Sequence, residues 1–224
     1  MTKQRGLLFT EPMVLANIHW RKTQTRRMIK PQPVLRDNGN WDYANRSLGK
    51  KFFVASNVTS GKLGQNLVLF NQCPYGQAGD QLYGRETLYR NNTGEWRYKA
   101  DAEQVKLATY TAPILLNEDK RLIPSIHMPK EAARLWFEIT AIRAEQLHAI
   151  SEADALAEGI YIFFKRGCYQ IPVPSAPAGW VRTKDPIEAY VVLYNQINGI
   201  TMEQNPWNWV VEYKSIKKPK EVLS

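Results

Sequence analysis

The heptapeptide Arg21-Lys22-Thr23-Gln24-Thr25-Arg26-Arg27 puts a potential base, a hydroxyl and an anion clamp into one short stretch. Neighbouring cations disfavour a further positive charge, so Arg21, Arg26 and Arg27 push the pKa of Lys22 downward. A lysine tuned in this way can accept a proton from a hydroxyl, and Thr25 stands three residues on. Direct transfer requires Lys22 Nζ and Thr25 Oγ to come within about 3 Å of each other. The same residues suit another task. Met1 to Lys30 holds seven Lys/Arg against one carboxylate, Glu11. Such a cluster attracts phosphate groups or a polyanion. The plain alternatives are a solvated basic loop, or a structural site in which Thr25 bonds the loop backbone and Lys22 pairs with Glu158 in a salt bridge.

Other residues could join such a site. Arg85-Glu86 closes an alternating segment and either lines the same cleft or forms a cross-strand pair. His127, ahead of Met128-Pro129, could hydrogen-bond a base or protonate a leaving group, or serve structure alone. Along residues 83–99, Tyr83, Tyr89, Trp96 and Tyr98 alternate with Arg85, Arg90, Arg97 and Lys99. That mixture either stacks bases and pairs phosphates or divides into a core face and a solvated face. Metal chemistry is not expected: His19, His127 and His148 lie far apart, Cys73 and Cys168 form no Cys-x-x-Cys, and there is no His-Glu-x-x-His. No cofactor is expected either, since no phosphate-binding glycine loop follows a strand.

The elements that must position these residues read as follows. Gly6 to Phe9 is a short strand, and Glu11 to Trp20 a helix with Pro12 in its first turn. Leu67 to Phe70, Gln81 to Leu88 and Trp96 to Ala100 read as strands, the last as a hairpin partner. Leu135 to Leu147 is β-rich. Ser151 to Asp154 is a capping box opening a helix that closes at Gly159. Asp185 to Ile197 is an amphipathic helix ended by Gly199, and Trp207 to Tyr213 is a last strand before the basic tail Lys214, Lys217, Lys218 and Lys220. Polar residues 37–64, with a short strand at Phe52 to Ala55, residues 93–119 and residues 161–182 read as insertions into a single domain spanning 1–224.

The 224 residues suffice for a substantial core, and 44% hydrophobic content is that of a folded chain. A net charge of +9 favours an anionic partner, nucleic acid or nucleotide above membrane. No apolar stretch is long enough to span a bilayer, and Met1 to Thr10 has no secretory apolar region. Two distant cysteines fit reduced thiols, so a cytoplasmic protein is expected. Many short strands with few helices predict an α+β domain around a small twisted barrel with flanking helices.

With these pieces placed, the chain resembles the ASCH domains of the PUA-like superfamily, most of all phage and prophage-encoded members. Lys22, Thr25 and Arg27 match that family's Gly-x-Lys-x-x-Thr-x-Arg signature, with Trp20 standing at the glycine. Further matches are Cys73-Pro74-Tyr75-Gly76 with Gly79-Asp80, Arg85-Glu86-Thr87, Ser125 to Pro129, Ile150-Ser151-Glu152 with Ala157 to Ile160, and Asn205 to Tyr213. The resemblance implies a PUA-like barrel and a ligand that is a modified nucleoside or RNA. It also implies a hydrolase acting on the acetyl amide of N4-acetylcytidine, with Lys22, Thr25 and Glu158 as catalytic residues. Arg21, Arg26, Arg27, Arg85, Glu86 and His127 would then bind substrate. Other members imply an RNA-binding module or a metal-independent ribonuclease using the same basic cleft.

Overall fold

The computed structural model describes residues 2–35, 41–45, 50–54, 58–59, 62–63, 73–90, 95–101, 122–160, 162–163, 167–172 and 180–219. The chain begins with β1 (Gln4–Leu8), α1 (Glu11–Ile18) and β2 (Gln24–Met28). Next come β3 (Val34–Leu35), β4 (Trp41–Asn45), β5 (Lys50–Val54), β6 (Val58–Thr59) and β7 (Lys62–Leu63). Then follow β8 (Gln81–Arg85), β9 (Leu88–Arg90), β10 (Trp96–Tyr98), β11 (Trp136–Gln146) and α2 (Glu152–Ala157). The last elements are β12 (Ile162–Phe163), β13 (Cys168–Pro172), β14 (Trp180–Thr183), α3 (Pro186–Asn198) and β15 (Trp207–Ile216).

The main sheet has the order β1-β8-β11-β15-β2, with the β6/β7 hairpin attached to β11. β1 and β8 run parallel, and every other pairing on this path is antiparallel. Two layers cover the sheet because β15, between β11 and β2, is buried on both faces. Trp207, Trp209, Val211 and Tyr213 of β15 alternate into a core with Leu7, Phe9, Val14 and Phe137. The intervening Asn208 and Val210 are also buried, and Tyr194 of α3 donates its hydroxyl proton to Asn208 Oδ1 at 2.6 Å. So α1 packs on one side and α3 on the other.

The mixed α+β class expected from the sequence is present, but no closed barrel forms among the described residues. β1 and β2 remain the two edges of the sheet. Their ends approach closely enough for Arg27 of β2 to donate to the carbonyl of Leu8 in β1, without strand pairing. The chain spans this gap through α1, whose buried face supplies Met13, Val14 and Leu15 to the core.

The segment 161–182, expected as a loop, instead contributes the antiparallel sheet β12-β13-β14. Tyr169 and Ile171 from it pack with Ala189, Tyr190 and Tyr194 of α3. Its prolines mask this in the sequence. Residues 37–64 likewise hold β4 and β5, which pair with β3 just ahead of them, and the β6/β7 hairpin rather than one strand. The expected strand Leu67 to Phe70 and most of 93–119 lie outside the described residues.

Local chemistry explains the helix ends. Asp185 caps Ile187 N–H, Pro186 opens α3, and Gly199 closes it at φ 65°. α1 stops at Ile18, two residues short of the expected Trp20. Trp20 N–H donates to Asn17 O and Arg21 N–H to Ala16 O, the paired closure of a Schellman turn. That turn places Trp20 at φ 58°, where glycine is free and an L side chain costs roughly 1–2 kcal/mol.

Candidate functional site

Lys22 lies just before β2, where the end of α1 meets the end of α2. Its backbone forms a β-bridge with Glu158, and Thr23 N–H donates to Ala157 O at 2.9 Å. The Lys22 ammonium donates to Glu158 Oε2 at 2.8 Å and to the Glu158 carbonyl at 2.9 Å. Both side chains are sealed from solvent, at 0% and 1% exposure. Gly159 makes the close approach feasible: at φ 95°, a Cβ there would meet Ala16 Cβ at 2.7 Å and Lys22 Cβ at 3.2 Å. Burial pulls the Lys22 pKa below its ordinary 10.5, opposed by Glu158 and reinforced by the charges of Arg27 and Arg26.

Alternation along β2 separates the remaining residues of the heptapeptide. Arg26 pairs with Val210 and Thr25 with Val211, so the two side chains take opposite faces of the sheet. Arg26 enters the α3 layer, where its Nη2 meets Glu145 Oε2 at 2.9 Å and Asp154 Oδ2 at 3.3 Å. Its guanidinium carbon lies 6.0 Å from the Tyr190 ring centroid. Arg26 Nη1 approaches Glu158 Oε1 at 3.6 Å, beyond hydrogen-bond reach, and neither atom has another hydrogen-bond partner. Arg143 completes the network, holding Glu145 at 2.7 Å, Asp154 at 2.6 Å and also Glu212. Burial and the charge of Glu158 together raise the Tyr190 phenol well above its ordinary 10.0.

Three cations, Lys22, Arg26 and Arg143, thus face four carboxylates, Glu145, Asp154, Glu158 and Glu212, largely inside the protein. Pairing is obligatory there, because an isolated buried charge costs far more than it returns. Lys22 and Arg26 are therefore not the solvated polyanion-binding surface that the sequence left open.

Asp154 gives this network a pH signature. It accepts from the Ser151 N–H at 3.2 Å, the reciprocal part of the expected capping box, and from the Ser151 hydroxyl at 2.7 Å, and it faces Arg26 and Arg143. These contacts outweigh its partial burial and hold its pKa at about 2, below the ordinary 3.8. The stability it contributes is fully present above about 3.8 and is lost as pH falls through about 2. Asp154→Asn is expected to lower stability at neutral pH and to flatten its fall across that window, read from denaturation midpoints at a series of pH values.

No family model, curated protein or solved structure matches this chain. The site has to be read from its own geometry.

The structure brings Lys22, Arg26 and Glu158 together although 136 residues separate Lys22 from Glu158. Thr25 is buried next door on the other sheet face, and the expected hydrogen bond between Lys22 Nζ and Thr25 is not formed among the described contacts. Three residues of extended chain span roughly 10 Å, which keeps Lys22 and Thr25 apart in this arrangement. Arg27 shares the face of Thr25, stacks its guanidinium 5.8 Å from the Phe9 centroid, and holds Leu8 O. Arg21 is half-buried.

Arg85, Glu86 and His127 belong to a second cluster. Arg85 donates to Ile126 O, next to the exposed His127. Glu86 is buried and held bidentately by Arg134 at 2.8 Å through each oxygen, and Arg134 also binds Asp101. Arg134 lies 4.0 Å above the Tyr98 ring. The aromatic residues expected to stack bases are largely spent inside this cluster: Tyr83 packs 5.6 Å from Trp136, and Tyr98 bonds Ala132 O. Arg90 sits 4.2 Å from Trp96.

Sequence reasoning missed Glu145, Asp154 and Arg143 as partners of the heptapeptide. A signal existed for two of them, because Arg143-x-Glu145 puts opposite charges on one face of a strand otherwise bound for the core. Among the described residues, no three His, Cys, Asp or Glu are grouped to hold a metal ion, and no helix is long and apolar enough to cross a membrane.

Proposed function

We propose that this protein is an amide hydrolase acting on an N4-acylated cytidine or a related modified nucleoside. One observation carries the reading: Lys22 and Glu158 form a sealed 2.8 Å ion pair, and burial lowers the pKa of the lysine. Both residues are those that the resemblance to ASCH domains marks as catalytic, and Thr25 stands on the adjoining strand.

In the proposed reaction, access of substrate separates the Gly159 turn from Ala16 and lets Lys22 Nζ approach Thr25 Oγ. Lys22 first passes a proton to Glu158, leaving a neutral amine and a carboxylic acid. Thr25 Oγ attacks the acyl carbon while its proton moves to Lys22. As the C–N4 bond breaks, Glu158 gives its proton to the leaving amine. Water then cleaves the acyl ester on Thr25, returning a proton to Thr25 Oγ and releasing the carboxylic acid, the ion pair having re-formed when Glu158 gave up its proton. Arg27, on the same face as Thr25, supplies positive charge for the oxyanion.

The geometry favours an uncharged amide over a polyanion, because Lys22 and Arg26 have their charges neutralised by internal carboxylates. The test is incubation of the purified protein with a panel of N4-acylated cytidines. Release of cytidine is expected, with kcat/KM falling as pH rises through the lowered Lys22 pKa, because the leaving amine takes the single proton that Lys22 and Glu158 share. Folded protein that releases no cytidine from any member would overturn the reading.

A further inference from the structure

We propose that Trp20 is a stacking platform for the pyrimidine ring of the ligand. The proposal rests on the nucleoside reading above and deepens it. Trp20 is 74% exposed, more than any other large apolar residue among those described. It is also held at φ 58° by the Schellman closure of α1, a position that glycine fills without strain. An exposed aromatic kept in a strained position is a feature that folding alone does not favour.

Its location supplies the function. Arg21 N–H and Lys22 N–H both donate to Ala16 O, so the backbone carrying Trp20 is pinned to the same helix end as Lys22. Across the Thr23–Ala157 contact stands Leu156, itself 42% exposed on α2. Two exposed apolar side chains therefore sit on the two segments that meet over the Lys22–Glu158 pair. The neighbours His19 and Thr23 are polar and exposed, so the apolar area suits one planar ring rather than the roughly 800 Å² that a protein partner covers. Every base offers a π-face to such a platform.

The experiment measures binding of free cytidine by calorimetry to wild type, Trp20→Gly and Trp20→Phe, with turnover of N4-acetylcytidine alongside. Trp20→Gly is expected to weaken cytidine binding roughly tenfold and raise KM by a similar factor, with kcat little changed. Its melting temperature is expected to rise by about 2–4 °C as the strain is relieved. Trp20→Phe should keep most of the affinity and none of the added stability. Unchanged affinity and KM in Trp20→Gly would overturn the platform while leaving the hydrolase reading standing. Trp20-dependent binding without turnover would support the platform and sink the hydrolase chemistry. No cytidine binding and no turnover by folded wild type would overturn both.

Discussion

Arg26→Met is expected to lower the stability of the protein by about 3–5 kcal/mol, measured by chemical denaturation at neutral pH. Methionine fills much of the same volume, so the loss is electrostatic rather than a cavity. Without the guanidinium, Glu145, Asp154 and Glu158 lose a shared buried cation, while Arg143 still holds Glu145 and Asp154 and Lys22 still holds Glu158. Glu145 is completely buried. Part of the loss is offset because Arg26 itself leaves Nε and Nη1 without hydrogen bonds. A change below about 1 kcal/mol would place Arg26 among surface ion pairs and contradict the buried network described above.

Lys22→Met is the second large effect. It strands the Glu158 carboxylate at 1% exposure and is expected to cost a comparable 3–5 kcal/mol or so. Glu158→Gln added to Lys22→Met removes the stranded charge and should recover a large share of that loss. The double-mutant cycle then isolates the coupling between the two side chains. Additive losses in the cycle would show that the two groups do not depend on each other, against the 2.8 Å contact. Hydrolysis should be lost in the single and the double variant alike, since recovering stability does not restore the base.

How much was legible in the sequence followed the range of the interactions. Pro186 with Gly199, and Ser151 with Asp154, set their helix ends through contacts a few residues long, and those ends fell close to where they were expected. The last strand also formed as read, extended to Ile216 by pairing with β11. The hairpin expected at Trp96 formed with Leu88 to Arg90. The parallel pairing of β1 with β8 left no local trace, because its partners are 77 residues apart. The burial of Arg26 was invisible for the same reason: its partner Glu145 lies 119 residues on. A run of four cations reads as solvated until distant carboxylates are seen to close over two of them. Trp20 was read as the last helical residue of α1, and the left-handed turn that it occupies was not expected from the sequence.

The most direct test of the central claim is cytidine release from N4-acetylcytidine by wild type, Lys22→Met and Thr25→Ala, each shown to be folded by circular dichroism. The account predicts turnover by wild type and its loss in both variants. Turnover by Thr25→Ala at the wild-type rate would contradict Thr25 as the nucleophile, and no turnover by folded wild type would contradict the hydrolase itself.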